Sequence, residues 1–192
     1  MNALATAGAA VAGYLVGAVS PAALLARSQK VDLRALGSGN PGATNVGRVL
    51  GVRWGVLVAL LDVGKGFVPA IGFSFVSAEA GMVAGAAAVV GHVTSPFLRG
   101  RGGKGVATAL GAVLGVAPFW ALGLLLAFAL VVGVTRWVAL GSISAAVTLV
   151  VLSFVTDAER AEQVWAVFLG AIILVRHRTN VFARWRAWRV YG

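Results

Sequence analysis

The sequence has no cysteine, and its acidic and histidine residues are few. Zero cysteine excludes disulfide bonds, thiolate catalysis and zinc sites built on sulfur. Six acidic residues and two histidines do not favour a carboxylate-rich metal site, so we expect neither a metal nor another cofactor. Charged residues make up 11% of the chain and hydrophobic residues 59%. A mean hydropathy of +0.92 excludes a soluble domain and indicates a protein integral to a bilayer.

Long apolar runs predict an all-α, polytopic membrane protein, because backbone N–H and C=O groups in a bilayer must be paired internally. We expect one domain over residues 1–192, with about seven transmembrane helices and no internal repeat. The predicted spans are residues 3–26, 54–76, 79–97, 104–117, 118–135, 137–156 and 160–176. The fourth span is short, at about 21 Å against a hydrocarbon core of roughly 30 Å.

Basic residues divide the connecting segments into two classes. Lys and Arg follow the first, third and last spans, whereas segments 77–79 and 115–119 contain none. The positive-inside rule therefore predicts an N-terminus outside and a cytoplasmic C-terminus. Residues 1–10 contain no Lys or Arg, so we expect a retained first helix and no cleaved signal peptide.

The C-terminal tail alternates basic and aromatic residues. Arg184, Arg186 and Arg189 are interleaved with Trp185 and Trp188. Such residues are typical of the membrane–water interface, and we interpret them as anchors without a catalytic role.

Residues 37–48, GSGNPGATNVGR, form a polar, glycine-rich segment between two apolar runs. Glycine lets the backbone approach a ligand, and short polar side chains supply hydrogen-bond donors that suit phosphate oxygens. Arg48 adds a planar cation able to make paired contacts with phosphate. The alternative is a tight polar turn at the membrane surface. The candidate polar ligands here are Ser38, Asn40, Thr44 and Asn45.

A second glycine-rich segment, GRGGKG at residues 100–105, precedes the short fourth span and Thr108. A glycine loop that leads into a helix N-terminus presents unpaired N–H groups and the positive end of the helix dipole to an anion. It is not a nucleotide P-loop, because the GxxxxGK[ST] spacing is absent. Gly102, Gly103 and Lys104 are the candidate ligands in this segment.

Four further residues carry ionisable or basic groups. His177 lies in RHRTN, residues 176–180, predicted as a third polar segment at the end of the last span, where it suits a base or phosphate ligand. His92 has a simpler interpretation as a packing histidine, although it remains a candidate substrate ligand. Asp62 and Lys65 lie three residues apart within the second span, which fits either a functional pair or a mutual ion pair.

These segments together resemble a known family. GSGNPGATNVGR, LLDVGKG at 60–66, GHVTSPFLRGRGGKGVAT at 91–108 and RHRTN are similar to the signature motifs of bacterial membrane glycerol-3-phosphate acyltransferases that use acyl phosphate. The resemblance implies a seven-helix protein of the bacterial inner membrane with a cytoplasmic active site. It implies transfer of an acyl chain from acyl phosphate to the 1-hydroxyl of glycerol 3-phosphate, giving lysophosphatidic acid and phosphate.

The resemblance also implies site residues. They are Ser38, Arg48, Gly102, Gly103, Lys104, His177 and Asn180. Thr179 stands where the family often has glutamate, so no carboxylate role is assigned there, and Arg101 stands where lysine is common. Expected partners are the two substrates and the bilayer, with no nucleic acid and no obligate protein partner.

Direct attack by the glycerol-3-phosphate hydroxyl is the expected mechanism, with His177 or a substrate phosphate as base. Donors from Gly102, Gly103, Asn180 or Lys104 would stabilise the oxyanion. An acyl-enzyme on Ser38 is the alternative mechanism, and it lacks an obvious orienting carboxylate. Transport of a small phosphorylated anion is the alternative function, disfavoured because the polar residues gather at one side of the membrane.

Overall fold

The computed structural model describes residues 3–191, except for the side chains at positions 187, 188, 190 and 191. Within this range the regular structure is entirely helical. A short 3₁₀ turn, Pro96–Leu98, follows α5. The helices are α1 (Ala3–Ala18), α2 (Pro21–Ser28), α3 (Ala43–Leu50), α4 (Val52–Ser74), α5 (Ala78–Thr94), α6 (Val106–Val116), α7 (Pro118–Thr135), α8 (Val138–Val155) and α9 (Arg160–Tyr191).

Six segments of the described chain are long and apolar enough to cross a bilayer, and α6 is a seventh, shorter apolar helix. The six are Ala3–Ser28, Val52–Ser74, Ala78–Leu98, Pro118–Thr135, Val138–Val155 and Arg160–Arg186. With 11 residues, α6 is about 17 Å long. The prediction of an all-α membrane protein with about seven helices, one of them short, is therefore confirmed.

The first span is broken between α1 and α2, where the sequence predicted one helix. Pro21 has no N–H to continue the helix, and the Ser20 hydroxyl caps α2 by accepting a 3.2 Å bond from Ala23 N–H. The break leaves two carbonyl groups without helical donors. Ser95 Oγ donates to Ala18 O at 2.6 Å, and Lys65 Nζ donates to Val19 O at 2.6 Å.

Two helix boundaries correct the sequence prediction. Residues 43–50, expected to lie largely in a loop, form α3 because Val46 is fully buried against α2 and α4. Helix α9 was expected to end at residue 176, yet it continues to Tyr191. Residues 176–191 contain neither glycine nor proline, so nothing in them stops a helix. The RHRTN motif is therefore helical and is not a loop.

Contacts divide the chain into two compact units, Met1–Ala121 and Leu122–Gly192, with the boundary inside α7. In the first unit α1 packs on α5, and α4 packs on both α5 and α6. In the second unit α8 packs on α9 around the fully buried Leu149 and Leu169. In this unit the Arg189 guanidinium lies 3.9 Å from the Trp185 ring centroid, which is a cation–π contact. The Trp188 side chain lies outside the described residues.

Glycines set the spacing of the helices in the first unit. A Cβ at Gly111 would clash with the Val63 carbonyl of α4, and one at Gly66 would clash with the Thr108 carbonyl of α6. At Gly85 a Cβ would lie 2.8 Å from the Ala112 Cβ. Backbones this close gain van der Waals contact that lipid tails cannot replace.

We expect Gly66→Ala and Gly111→Ala to destabilise the protein, because each added methyl group forces α4 and α6 apart. Gly64→Ala and Gly72→Ala are the matched controls on α4, since a Cβ at either position meets no atom within 4 Å. They should leave the thermal unfolding midpoint unchanged or raise it, as alanine favours a helix by up to about 1 kcal/mol. Tryptophan fluorescence during heating in detergent measures all four variants, and equal midpoints would contradict the glycine argument.

Candidate active site

Asn45 organises the first loop, which we define as residues 29–42 between α2 and α3. Its side chain is 1% exposed. The Nδ2 group donates to Leu33 O and Leu36 O, both at 3.1 Å, and Oδ1 accepts a 2.7 Å bond from Ser38 N–H. The donor and acceptor atoms of Asn45 therefore bind the loop backbone, and substrate contact by this residue stays a prediction.

The same contact explains Gly37. This residue has a φ of +61°, and a Cβ there would clash with Asn45 Oδ1. The turn leaves Ser38 exposed, while Asn40 is half-buried. Thr44 and Arg48, four residues apart on α3, are exposed as neighbours on one helical face. The first loop thus presents the Ser38 hydroxyl to the surface and α3 presents the Arg48 guanidinium, while their roles toward substrate stay predictions.

The glycine loop, defined as residues 99–105, folds back over the end of α5. Gly102 N–H donates to Val93 O at 2.9 Å, and Gly103 N–H donates to His92 O at 3.2 Å. A Cβ at Gly102 would clash with the His92 carbonyl, and one at Gly103 with the imidazole Nε2. The two N–H groups expected to stabilise an oxyanion thus have acceptors within the protein, and their contact with substrate stays a prediction. These glycines permit close packing.

The start of α6 supplies the donors of an anion site instead. The first helical bond runs from Ala109 N–H to Gly105 O at 2.7 Å, so the N–H groups of residues 106–108 have no acceptor within the helix. Half-buried Lys104 precedes them. The fully buried Thr108 hydroxyl has no hydrogen-bond partner among the described residues. Dipole, N–H groups and ammonium together favour an anion here.

Arg34 links the two loops and was missed in the sequence. Its guanidinium donates to Gly39 O at 3.4 Å and to Arg101 O, while its own N–H donates to Asp32 Oδ1 at 2.8 Å. The loop that carries Ser38 and the loop that carries Lys104 are therefore joined. In sequence Arg34 looks like any other basic residue of a positively charged segment, so no pattern singled it out.

Asp62, Lys65 and His92 form a buried charge cluster between α4 and α5. Asp62 Oδ1 lies 3.1 Å from Lys65 Nζ and 3.5 Å from His92 Nδ1. This geometry favours the mutual ion pair for Asp62 and Lys65 and the packing role for His92. The side chains of Lys65 and His92 are both directed to Asp62. Contact of either residue with substrate stays a prediction. The Asp62–His92 contact was missed, since the two residues lie on different helices.

His177 and Asn180 lie on α9 in the second unit. His177 is 2% exposed, and its Nδ1 is 2.8 Å from Ile173 O. In the neutral ring this bond places the proton on Nδ1 and leaves the lone pair on Nε2, the form a base requires. Asn180 is half-buried one turn further on. Their participation in catalysis stays a prediction.

Among the described residues, no group of three or more His, Asp or Glu side chains is placed to hold a metal ion.

Residues 7–186 match the sequence model of a family described as glycerol-3-phosphate acyltransferase. The chain belongs to this family. It is 44% identical over 177 residues to the glycerol-3-phosphate acyltransferase of Geobacter sulfurreducens, covering 88% of each chain. It is 41% identical over 174 residues to that of Aquifex aeolicus, covering 88% of this chain and 89% of the relative.

Two solved structures of PlsY (YgiH), an integral membrane glycerol 3-phosphate acyltransferase, have the same fold. The glycerol 3-phosphate form superposes with a TM-score of 0.91 at 38% identity, and the lysophosphatidic acid form with 0.88 at 37%. Each comparison covers 95% of this chain and 92% of the other. The resemblance noted in the sequence is thereby confirmed at the level of the family.

We expect Asn45→Asp to lower kcat/KM by at least roughly tenfold, which corresponds to about 1.4 kcal/mol. The substitution keeps the shape of the side chain but turns a carboxylate oxygen toward two carbonyl oxygens that now accept from Nδ2. Ser28→Ala is the control, because its exposed hydroxyl contacts only Leu25 O at the end of α2. Steady-state acyltransfer by the purified variants measures the effect. An Asn45→Asp enzyme as active as Ser28→Ala would contradict the role of Asn45 in holding the first loop.

Proposed function

We propose that this protein transfers an acyl chain from acyl phosphate to the 1-hydroxyl of glycerol 3-phosphate, releasing lysophosphatidic acid and inorganic phosphate. The observation that carries the proposal is the link made by Arg34 between the first loop and the glycine loop. It places exposed Ser38 and the start of α6 within one connected surface of the first unit. The glycerol 3-phosphate and lysophosphatidic acid forms of PlsY support the acceptor and the product.

The electrostatics of this surface suit both substrates. Each carries a phosphate, and the surface offers the N–H groups of α6, the Lys104 ammonium and the Arg48 guanidinium. The acyl tail of the donor needs apolar surroundings, which a site at the edge of membrane helices provides. Acyl phosphate fits such a site because its phosphate and its tail are recognised by different parts of it.

The reaction needs no metal and no covalent intermediate, because phosphate is a good leaving group. The 1-hydroxyl oxygen attacks the acyl carbonyl carbon, a carbon–oxygen bond forms, and the bond from that carbon to the phosphate oxygen breaks. The hydroxyl proton passes to a substrate phosphate oxygen, and His177 as the alternative base stays an expectation of the family resemblance. Lys104 and the first N–H groups of α6 stabilise the charge on the departing phosphate.

Direct attack is preferred to an acyl-enzyme on Ser38. A serine nucleophile requires a histidine oriented by a third group, most often a carboxylate. The Nδ1 contact of His177 is a backbone carbonyl of its own helix, Ile173 O at 2.8 Å. This contact orients the ring and supplies no negative charge, so it supports the simpler mechanism.

The same proposal places the site on the cytoplasmic side of the bacterial inner membrane, with the N-terminus outside. In the first unit Arg34 and Arg101 lie in the two linked loops, while the turns after α4 and α6 contain no Lys or Arg. The positive-inside rule assigns the basic side to the cytoplasm. The alternative function, transport of a phosphorylated anion, has no structural observation in its favour.

The donor is tested by incubating the purified protein with glycerol 3-phosphate and either palmitoyl phosphate or palmitoyl-CoA. We expect lysophosphatidic acid and stoichiometric phosphate from the acyl phosphate and none from the thioester, since only the former presents a phosphate at the reacting carbonyl. Product from the thioester alone would refute the proposed donor. Uptake of phosphorylated anions into sealed vesicles, without formation of lysophosphatidic acid, would favour the transport function instead.

The anion-binding roles are tested by Lys104→Ala and Arg48→Ala. We expect each to lose at least roughly tenfold in kcat/KM, the scale of one charge-assisted contact worth about 1.5–3 kcal/mol. Arg186→Ala is the control, because that exposed arginine lies in the basic tail of α9. It should retain the turnover of the unmodified enzyme. Unchanged kinetics in both test variants would remove the basis of the proposed site.

A further inference from the structure

The proposed reaction gives no role to the buried charge cluster of α4 and α5. Asp62, Lys65 and His92 are 3%, 7% and 7% exposed. Ionisable groups within membrane helices are costly and are kept where they serve function. An ion pair between Asp62 and Lys65 alone would not require a histidine, yet Asp62 is also 3.5 Å from His92 Nδ1. The contact to His92 therefore needs its own explanation.

His92 connects this cluster to the glycine loop through two contacts, one of its backbone and one of its ring. Its backbone carbonyl accepts the 3.2 Å bond from Gly103 N–H. Its imidazole Nε2 lies so close to Gly103 that a Cβ there would clash with it. The position of Gly103 is therefore bounded by both the backbone and the ring of His92, and Lys104 is the next residue in the chain.

Asp62 lies on the Nδ1 side of that imidazole, with Oδ1 3.5 Å from Nδ1, and neither atom makes a hydrogen bond among the described residues. The contact is therefore electrostatic, and a carboxylate in this position favours the tautomer with its proton on Nδ1. The other ring nitrogen, Nε2, is the one that faces Gly103. Lys65 anchors the carboxylate from the other side, since its ammonium is held by both Asp62 and Val19 O, at 3.1 Å and 2.6 Å.

We propose that Asp62 is a positioning residue for acyl transfer, which holds the His92 imidazole against Gly103 and so fixes the glycine loop and Lys104 at the start of α6. Asp62 acts through His92 and does not touch substrate. The kinetic consequence rests on the proposed function, whereas the contact between Asp62, His92 and the loop does not.

A double-mutant cycle tests whether Asp62 acts through His92. The proteins are the unmodified enzyme, Asp62→Asn, His92→Ala and the double variant, assayed with glycerol 3-phosphate and palmitoyl phosphate. We expect each single substitution to lower kcat/KM by about tenfold and the double variant to lie within about threefold of His92→Ala, because coupled residues are not additive. Losses that multiply to about a hundredfold, or an Asp62→Asn enzyme with unchanged kinetics, would overturn the proposal.

Asp157→Asn controls for the loss of one negative charge. Asp157 is exposed in the second unit and has a φ of +48°, a conformation that asparagine also adopts. Its kinetics should match those of the unmodified enzyme.

If Asp62→Asn leaves an unpaired ammonium that prevents folding, Lys65→Met is compared with Lys65→Met/Asp62→Asn. The same loss of about tenfold is expected between these two, and equal activity would overturn the proposal.

A second readout is independent of activity. The chain has two histidines, so selective ¹⁵N-histidine labelling gives two ring spectra, and His92→Ala assigns them. We expect His92 to be protonated on Nδ1 alone, and Asp62→Asn to give a mixture of both tautomers. Unchanged His92 signals in Asp62→Asn would overturn the proposal. A change in these signals in a protein that makes no lysophosphatidic acid would support the contact and refute the proposed function.

Discussion

The structure depends on one constraint, that a backbone carbonyl or N–H group inside a bilayer must have a hydrogen-bond partner. Where the first span leaves regular helix, side chains from other parts of the first unit supply that partner. At the break after α1, the carbonyls of Ala18 and Val19 accept from Ser95 and Lys65 at 2.6 Å each. Each donor comes from another part of the first unit, α4 or the end of α5. The break and the packing of these helices therefore depend on each other.

The same constraint builds the candidate site. The carbonyls at the end of α5 take the N–H groups of Gly102 and Gly103, which forces the loop to fold back and to deliver Lys104 to the start of α6. In the first loop Asn45 supplies the missing partners. Because these backbone groups hold the loops, exposed side chains such as Arg48 and the first N–H groups of α6 are the groups left for the proposed contacts with substrate.

Hydropathy was enough to predict the membrane-spanning helices and the short α6, because a bilayer permits few alternatives to a helix, but it predicted neither α3 nor the break between α1 and α2. Charge was a poor guide to where a helix ends, and α9 continues through RHRTN because no glycine or proline stops it. The polar segments were found because they interrupt apolar runs. The roles of individual residues in these segments were not predicted, since the partners of Asn45 depend on the path of the loop. The Asp62–His92 contact depends on how α4 packs against α5.

A buried carboxylate so close to an anion site needs a reason why it does not repel the substrates. Coulomb energy falls with distance and with opposite charge nearby, and Asp62 has an ammonium at 3.1 Å. To a phosphate further away the pair acts as a dipole, whose field decays faster than that of a single charge. The net field at the glycine loop then comes from Lys104 and the α6 dipole, both positive. Asp62 can therefore lie beside His92 while the neighbouring surface stays electropositive, as the proposed binding of two anionic substrates requires.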